Sequence, residues 1–283
     1  MAPRNIKNVA VIGLGKMGNP ISRHLLNGGF VVSGFDVDPK ACKSAACKGI
    51  AIAPTPGQAV VEADLVIVLV AEESDVERVL FGPDGVVARA KPETIVGIAT
   101  TTSPVSMIHF AVRLRDSGLI PIDIPICRGE RPAEAGKLLI TGGGEKAVFD
   151  ACRKAFSTFA SSIYRLGDVG AGQVGKMVNN LILWSCVSAN HEGFKLGDQY
   201  GVDGVIMREM LLDSSASNWA LETQAQRYGM PSAERDMMIA LAEADRLRVS
   251  LPLTGTAKEV IKGIKIEREE HFPFEEKKSA NGN

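Results

Sequence analysis

Lys176 and Asn180 stand four residues apart in Gly170-Ala-Gly172-Gln-Val-Gly175-Lys176-Met-Val-Asn-Asn180, just ahead of the apolar run Leu181 to Ala189. Read as a helix, that spacing puts an amine and an amide on one face, about 6 Å apart along the axis and within reach of one small ligand. An amine so placed can give a proton to a developing oxyanion or, when neutral, take one from a hydroxyl. Gly170, Gly172 and Gly175 let another backbone, or a ligand, approach the start of the helix. Met177, Val178, Leu181, Ile182, Leu183, Trp184, Cys186 and Val187 leave no broad polar face, so the helix is expected to be buried on nearly every side. The plainer alternative is a core helix whose first-turn lysine snorkels to water.

Positioning such a pair takes a scaffold, and the first half of the chain describes one. Val-rich Asn8 to Ile12 ends at Gly13-Leu14-Gly15-Lys-Met17-Gly18, after which Ile21, Leu25 and Leu26 recur at helical spacing as far as Gly28-Gly29. A second apolar strand, Phe30 to Phe35, ends in Asp36. This order suits a dinucleotide. Gly13 permits the tight turn, Gly15 lets backbone approach a pyrophosphate, Gly18 packs helix against strand, and the helix N-terminus faces the phosphates. Asp36, about twenty residues on, can accept hydrogen bonds from ribose hydroxyls and repel a 2′-phosphate, which favours NAD over NADP. Lys40 and Lys43 offer a phosphate some attraction in the other direction.

Asp64 to Val70, Thr94 to Ala99, Leu119 to Asp123 and Leu138 to Thr141 read as further strands, with helices over Glu73 to Leu80 and Val105 to Ser117. The expected fold class is an α/β Rossmann domain with a doubly wound, mostly parallel sheet, followed by an all-helical C-terminal domain. Helical patterns there cover Val205 to Leu212, Ala233 to Leu247 and Thr254 to about Ile264. The hydroxyls of Thr100-Thr101-Thr102-Ser103 fall at the carboxyl end of a parallel strand, where such sheets bind ligands, or they cap the next helix.

The 283 residues allow roughly two domains, and a formal net charge of -1 gives no bulk attraction for nucleic acid or a membrane surface. No apolar run reaches a transmembrane length and Met1-Ala-Pro-Arg-Asn does not begin a signal peptide, so a cytoplasmic address is expected. Five scattered cysteines fit reduced thiols, and no metal site is expected. His24, His109, His191 and His271 fall in no ligand or nucleophile spacing.

The glycine turn, the hydroxyl-rich strand end, Asp123-Ile-Pro-Ile-Cys127-Arg128-Gly129 and the lysine helix follow one another in a familiar order. The sequence resembles the β-hydroxyacid dehydrogenase family, relatives of 3-hydroxyisobutyrate dehydrogenase and tartronate semialdehyde reductase, from about Asn8 to about Glu259. The most specific part is Gly-x-Gly-x-x-x-Lys176-x-x-x-Asn180, which in that family carries the catalytic lysine and its asparagine. The resemblance implies an NAD-binding domain over 1–167 and a helical substrate and oligomerisation domain over 168–268, with the active site between the domains, and the charged, unpatterned end over 269–283 is expected to be a flexible tail. It assigns Gly13, Leu14, Gly15, Met17 and Gly18 to the phosphates, Asp36 to the adenosine ribose, Thr101 to the nicotinamide, and Val70 and Arg235 to the cofactor. It assigns Cys127, Arg128, Gly129, Asn180 and Trp219 to the substrate, a small anionic hydroxy acid or semialdehyde, and implies a homodimer or homotetramer.

The chain also departs from the family. Cys127 and Arg128 replace a Ser-Gly pair, which removes a hydroxyl and adds a guanidinium able to grip an anion through two parallel hydrogen bonds, as in sulfolactaldehyde reductases. Otherwise Arg128 is a surface charge. Arg235-Asp236 stands where the family has Lys-Asp before a helix that closes over the cofactor, and arginine cannot release a proton at working pH. The turn Ser214 to Trp219 faces the substrate pocket in the family, or is a helix cap with a core tryptophan. The rival readings are a reductase of an anionic aldehyde such as a sulfonate, an imine reductase, and a non-catalytic NAD-binding protein.

Overall fold

Strand residues in the first half alternate between two apolar clusters, so both faces of one sheet are covered. Val9, Val11, Leu65, Ile67 and Ile95 enter one cluster; Ala10, Ile12, Val66, Val68, Val96 and Ile98 enter the other. The computed structural model describes residues 5–224 and 230–268, so the expected tail over 269–283 lies outside the described residues. In chain order the elements are β1 (Asn8–Ile12), α1 (Gly18–Asn27), β2 (Val31–Phe35), α2 (Pro39–Ala46), β3 (Ala51–Ile52), α3 (Pro56–Val60), β4 (Leu65–Val68), α4 (Glu73–Phe81), α5 (Val86–Arg89), β5 (Ile95–Ile98) and α6 (Pro104–Asp116). There follow β6 (Ile120–Asp123), β7 (Ile126–Cys127), α7 (Glu130–Glu134), β8 (Leu138–Gly143), α8 (Lys146–Phe156), β9 (Ala160–Gly167), α9 (Ala171–Gln199), α10 (Gly204–Leu212), α11 (Trp219–Thr223), α12 (Ala233–Leu247) and α13 (Pro252–Glu267).

The sheet order is β3-β2-β1-β4-β5-β6-β8-β7, with β9 also paired to β8. Pairing is parallel from β3 through β6, β8 runs antiparallel to β6 and β7, and β9 runs parallel to β8. The strand order reverses between β1 and β4, so the turns that follow those strands flank the crevice in which doubly wound sheets take ligands. The chain divides into two compact units after Lys176, within α9.

The division falls there because the first turns of α9 are built into the sheet. Asp123, fully buried at the end of β6, accepts hydrogen bonds from the backbone N–H groups of Gly170 and Gln173, both at 2.8 Å. The Gln173 side chain accepts from Thr102 N–H at 3.1 Å and donates to the Thr100 carbonyl at 2.8 Å. Thr141 of β8 donates to the Gly172 carbonyl at 3.1 Å. Another backbone therefore does approach the helix here, as the glycines suggest. A Cβ on Gly172 would lie 2.6 Å from both Asp123 Oδ2 and the Thr141 oxygen, and one on Gly175 would lie 2.2 Å from Leu166 Cδ1.

In the second unit, Trp184, Val187, Ala220, Met230, Met237, Ile261 and Ile264 share a core. A buried ion pair, Lys265 to Glu234 at 2.8 Å, fastens α13 to α12. The expectation that α9 is buried on nearly every side is corrected: Val174, Val178 and Ile182, four residues apart, are 43%, 42% and 55% exposed. An apolar periodicity marks a face that avoids water, but it cannot say whether the same chain covers it. None of the residues of α10 is buried either, and Val205, Ile206 and Met210 are exposed.

Gly172→Ala should destabilise the protein by about 1–3 kcal/mol, read from urea unfolding, because its methyl group meets fixed backbone. Asp123→Asn leaves one N–H facing a donor and should cost a similar amount. Burial raises the Asp123 pKa above its ordinary 3.8, against the lowering effect of the backbone hydrogen bonds. The folded value then exceeds the unfolded one, so this carboxyl's contribution to stability is largest in acid and declines as pH rises through the folded value. The stability gap between parent and Asp123→Asn should narrow upward from about pH 4 and then level off; a widening gap would contradict the assignment.

Candidate active site

The turn after β1 is closed on two sides and open on a third. Gly13 has φ +100°, and a Cβ there would lie 2.1 Å from the Leu69 oxygen, while one on Gly18 would lie 1.8 Å from the Gly13 oxygen. At Gly15 nothing lies within 4 Å of the Cβ position. Gly13 and Gly18 thus serve the turn and the packing of α1, and Gly15 leaves room for a ligand against bare backbone, the fit a pyrophosphate needs. Leu14 N–H donates to Asp36 Oδ2 at 2.6 Å and Asp38 N–H to Asp36 Oδ1 at 2.8 Å. Each carboxylate oxygen keeps a lone pair for a ribose hydroxyl. Met17 is half-buried and packs on the apolar cluster that includes Leu14, so these two shape the turn from behind.

Beyond the reversal, Thr100 accepts from Val70 N–H at 2.9 Å and fixes the chain leaving β4. Thr101 is half-buried beside it, and the buried Thr102 hydroxyl has no hydrogen-bond partner. Of the four hydroxyl residues, Ser103 is the helix cap, accepting from Ser106 N–H at 3.0 Å.

Lys176, half-buried in the second turn of α9, donates to the Ile126 carbonyl at 2.8 Å, and its Nζ lies 4.0 Å from Cys127 Sγ. The lysine therefore lies against the loop whose departure from the family stands out in the sequence. Ile126 and Cys127 are both buried, and Gly129, exposed with φ +81°, turns the chain into α7. Arg128 is half-buried rather than a free surface charge. Its guanidinium donates to the Lys137 carbonyl at 3.0 Å, Ser161 Oγ at 2.9 Å and Ser162 Oγ at 3.1 Å.

In the second unit, buried Asn180 donates to Asp236 Oδ2 at 2.9 Å, and that oxygen also receives Trp184 Nε1 at 3.4 Å and the Ser232 hydroxyl at 3.2 Å. Asn179 donates to Asn180 Oδ1 at 3.0 Å. Arg235 and Asp236 lie within the first turn of α12 rather than before a helix, the Arg235 guanidinium 4.0 Å from Asp236. Asn218 caps α11 through Leu221 N–H at 3.0 Å and exchanges amide hydrogen bonds with Asn190, so the cap reading of that turn holds. The core-tryptophan alternative does not, because Trp219 is 41% exposed and the core indole is Trp184.

Sequence reasoning missed Asp123 and Asp236 as anchors. The available signal was a carboxylate in apolar surroundings, which must find donors when buried. Among the described residues no group of three His, Cys, Asp or Glu could hold a metal ion.

Residues 8–167 match the family model described as the NAD binding domain of 6-phosphogluconate dehydrogenase, and residues 170–271 the one described as NAD-binding of NADP-dependent 3-hydroxyisobutyrate dehydrogenase. The 3-hydroxyisobutyrate dehydrogenase of Pseudomonas aeruginosa is 31% identical over 267 residues, covering 89% of this chain and 90% of that one. The NAD-dependent L-serine dehydrogenase of the same organism is 33% identical over 77% of this chain and 73% of its own. A solved structure of Mycobacterium tuberculosis 3-hydroxyisobutyrate dehydrogenase with L-serine aligns with a TM-score of 0.83 at 26% identity, over 93% of this chain and 94% of that one.

Proposed function

The chain belongs to the β-hydroxyacid dehydrogenase family, and from that premise we propose that it interconverts a small β-hydroxy acid and its semialdehyde by nicotinamide-linked hydride transfer, with Lys176 moving the proton. The observation that carries this reading is the lysine on the Ile126 carbonyl, beside the Cys127–Gly129 loop and on the helix that Asp123 anchors. A bound nicotinamide supplies or accepts the hydride. Lys176 as ammonium protonates the oxygen of the aldehyde as it becomes an alcohol; as neutral amine it takes that proton back. Asn180, held by Asp236, presents its amide one helical turn from the lysine and orients the reacting oxygen.

Gly13, Leu14, Gly15, Met17 and Gly18 hold the phosphates and Asp36 the adenosine ribose, with Val70 and Thr101 toward the nicotinamide and Arg235 as a further cofactor contact. Cys127, the Gly129 amide and exposed Trp219 are the substrate contacts. Asp36, already accepting two backbone N–H groups, favours NAD. Lys176 argues against the imine reductase reading, and the paired Lys176 and Asn180 against a non-catalytic one. Exposed Ile206 and Met210 on α10, with Val178 and Ile182 on α9, support a homodimer or homotetramer. Among the described residues no helix is long and apolar enough to cross a membrane.

Lys176→Ala should lower turnover by about 10²- to 10⁴-fold while NAD binding, followed by fluorescence titration, persists; unchanged turnover sinks the assignment. Asp36→Ser should weaken NAD by about 10- to 100-fold and narrow its advantage over NADP, read from the KM of each.

A further inference from the structure

Arg128 is one of four described non-glycine residues with positive φ, at +88°, a conformation that L residues with long side chains rarely adopt. Something must hold it there. The guanidinium bonds to three acceptors on the far side of the sheet branch: the Lys137 carbonyl just before β8, and Ser161 and Ser162 on β9. The residues it follows form β7, a strand of two residues at the end of the sheet path, with Ile126 opposite Ile140 and Cys127 opposite Leu139. So short an edge strand has little ladder of its own. Yet its Ile126 carbonyl is the hydrogen-bond acceptor for Lys176.

We propose that Arg128 is a positioning residue: its guanidinium straps β7 to β8 and β9, fixing the carbonyl that orients the Lys176 ammonium, instead of gripping the substrate's acid group. Three diverging bonds from a planar fork are a geometry lysine cannot copy from one nitrogen. The strap's partners lie on β9, so they can be removed while the arginine keeps its charge. The proposal rests on the function assigned to Lys176, and the test separates the two.

The informative variant is Ser161→Ala/Ser162→Ala, beside Arg128→Lys and Arg128→Gly, which also relieves the positive φ. The first readout needs no turnover: alkylation of Cys127 by iodoacetamide, mapped by mass spectrometry. Cys127 is buried and should label at least tenfold faster in the double serine variant, with Cys152 unchanged. An unchanged Cys127 rate overturns the strap whatever reaction the protein catalyses. The second readout is steady-state kinetics on a β-hydroxy carboxylate and its sulfonate counterpart. All three variants should lose about tenfold or more in kcat, with KM for both anions within about threefold of the parent. If Arg128→Gly raises KM far more than it lowers kcat, or Arg128→Lys or the double serine variant keeps full kcat, Arg128 acts on the anion and the proposal fails. Failure of Lys176→Ala to lower turnover removes the functional reading alone, because the labelling result stands without it.

Discussion

Two N–H groups aimed at one buried carboxylate set the geometry of everything around Lys176. Asp123 ends β6 and receives Gly170 and Gln173. It therefore does for α9 what a capping side chain does locally, but from a strand nearly fifty residues earlier. The positive end of the helix favours the negative charge, and desolvation opposes it. The compromise costs something in stability and gives a helix start that cannot slide along the sheet. Gly172 and Gly175 are consequences of the same constraint, because the approach of Asp123 and Thr141 leaves no volume for a Cβ.

The long helix then has one anchorage for each of its chemical residues. Lys176 is held by the Ile126 carbonyl of β7 and Asn180 by Asp236 of α12. Each bond satisfies a polar group that burial would otherwise strand, and each fixes one side chain of the proposed proton-transfer pair. Trp184 shares the Asp236 oxygen, so the indole that fills the helical core also steadies the carboxylate behind Asn180.

The parts legible in the sequence were those governed by local sterics. Gly13 and Gly18 can be read because a tight turn and a close helix leave few alternatives, and β4 because an apolar run of that length has few other uses. The helix α8 was not read from the sequence, although Val148, Phe149, Cys152, Ala155 and Phe156 recur at helical spacing and are buried. The strand β9 was not legible, since its residues are mostly half or wholly exposed and Tyr164 and Leu166 face outward. The partners of Arg128 escaped for a different reason. A guanidinium advertises that it will find acceptors, but Ser161 and Ser162 are more than thirty residues away and carry no local signature. The open face of α9 marks a further limit, because periodicity records only that a surface is apolar.

The placement of Asp123 also bears on how the chain is made. The two donors that satisfy the most deeply buried acid of the nucleotide-binding half lie beyond its last strand, at residues 170 and 173. A nascent chain that stops at the end of β9 leaves the carboxylate at the carboxyl end of β6 without those two donors. The opening turns of α9 thus complete the hydrogen bonding of the first half, although they lie beyond its last strand.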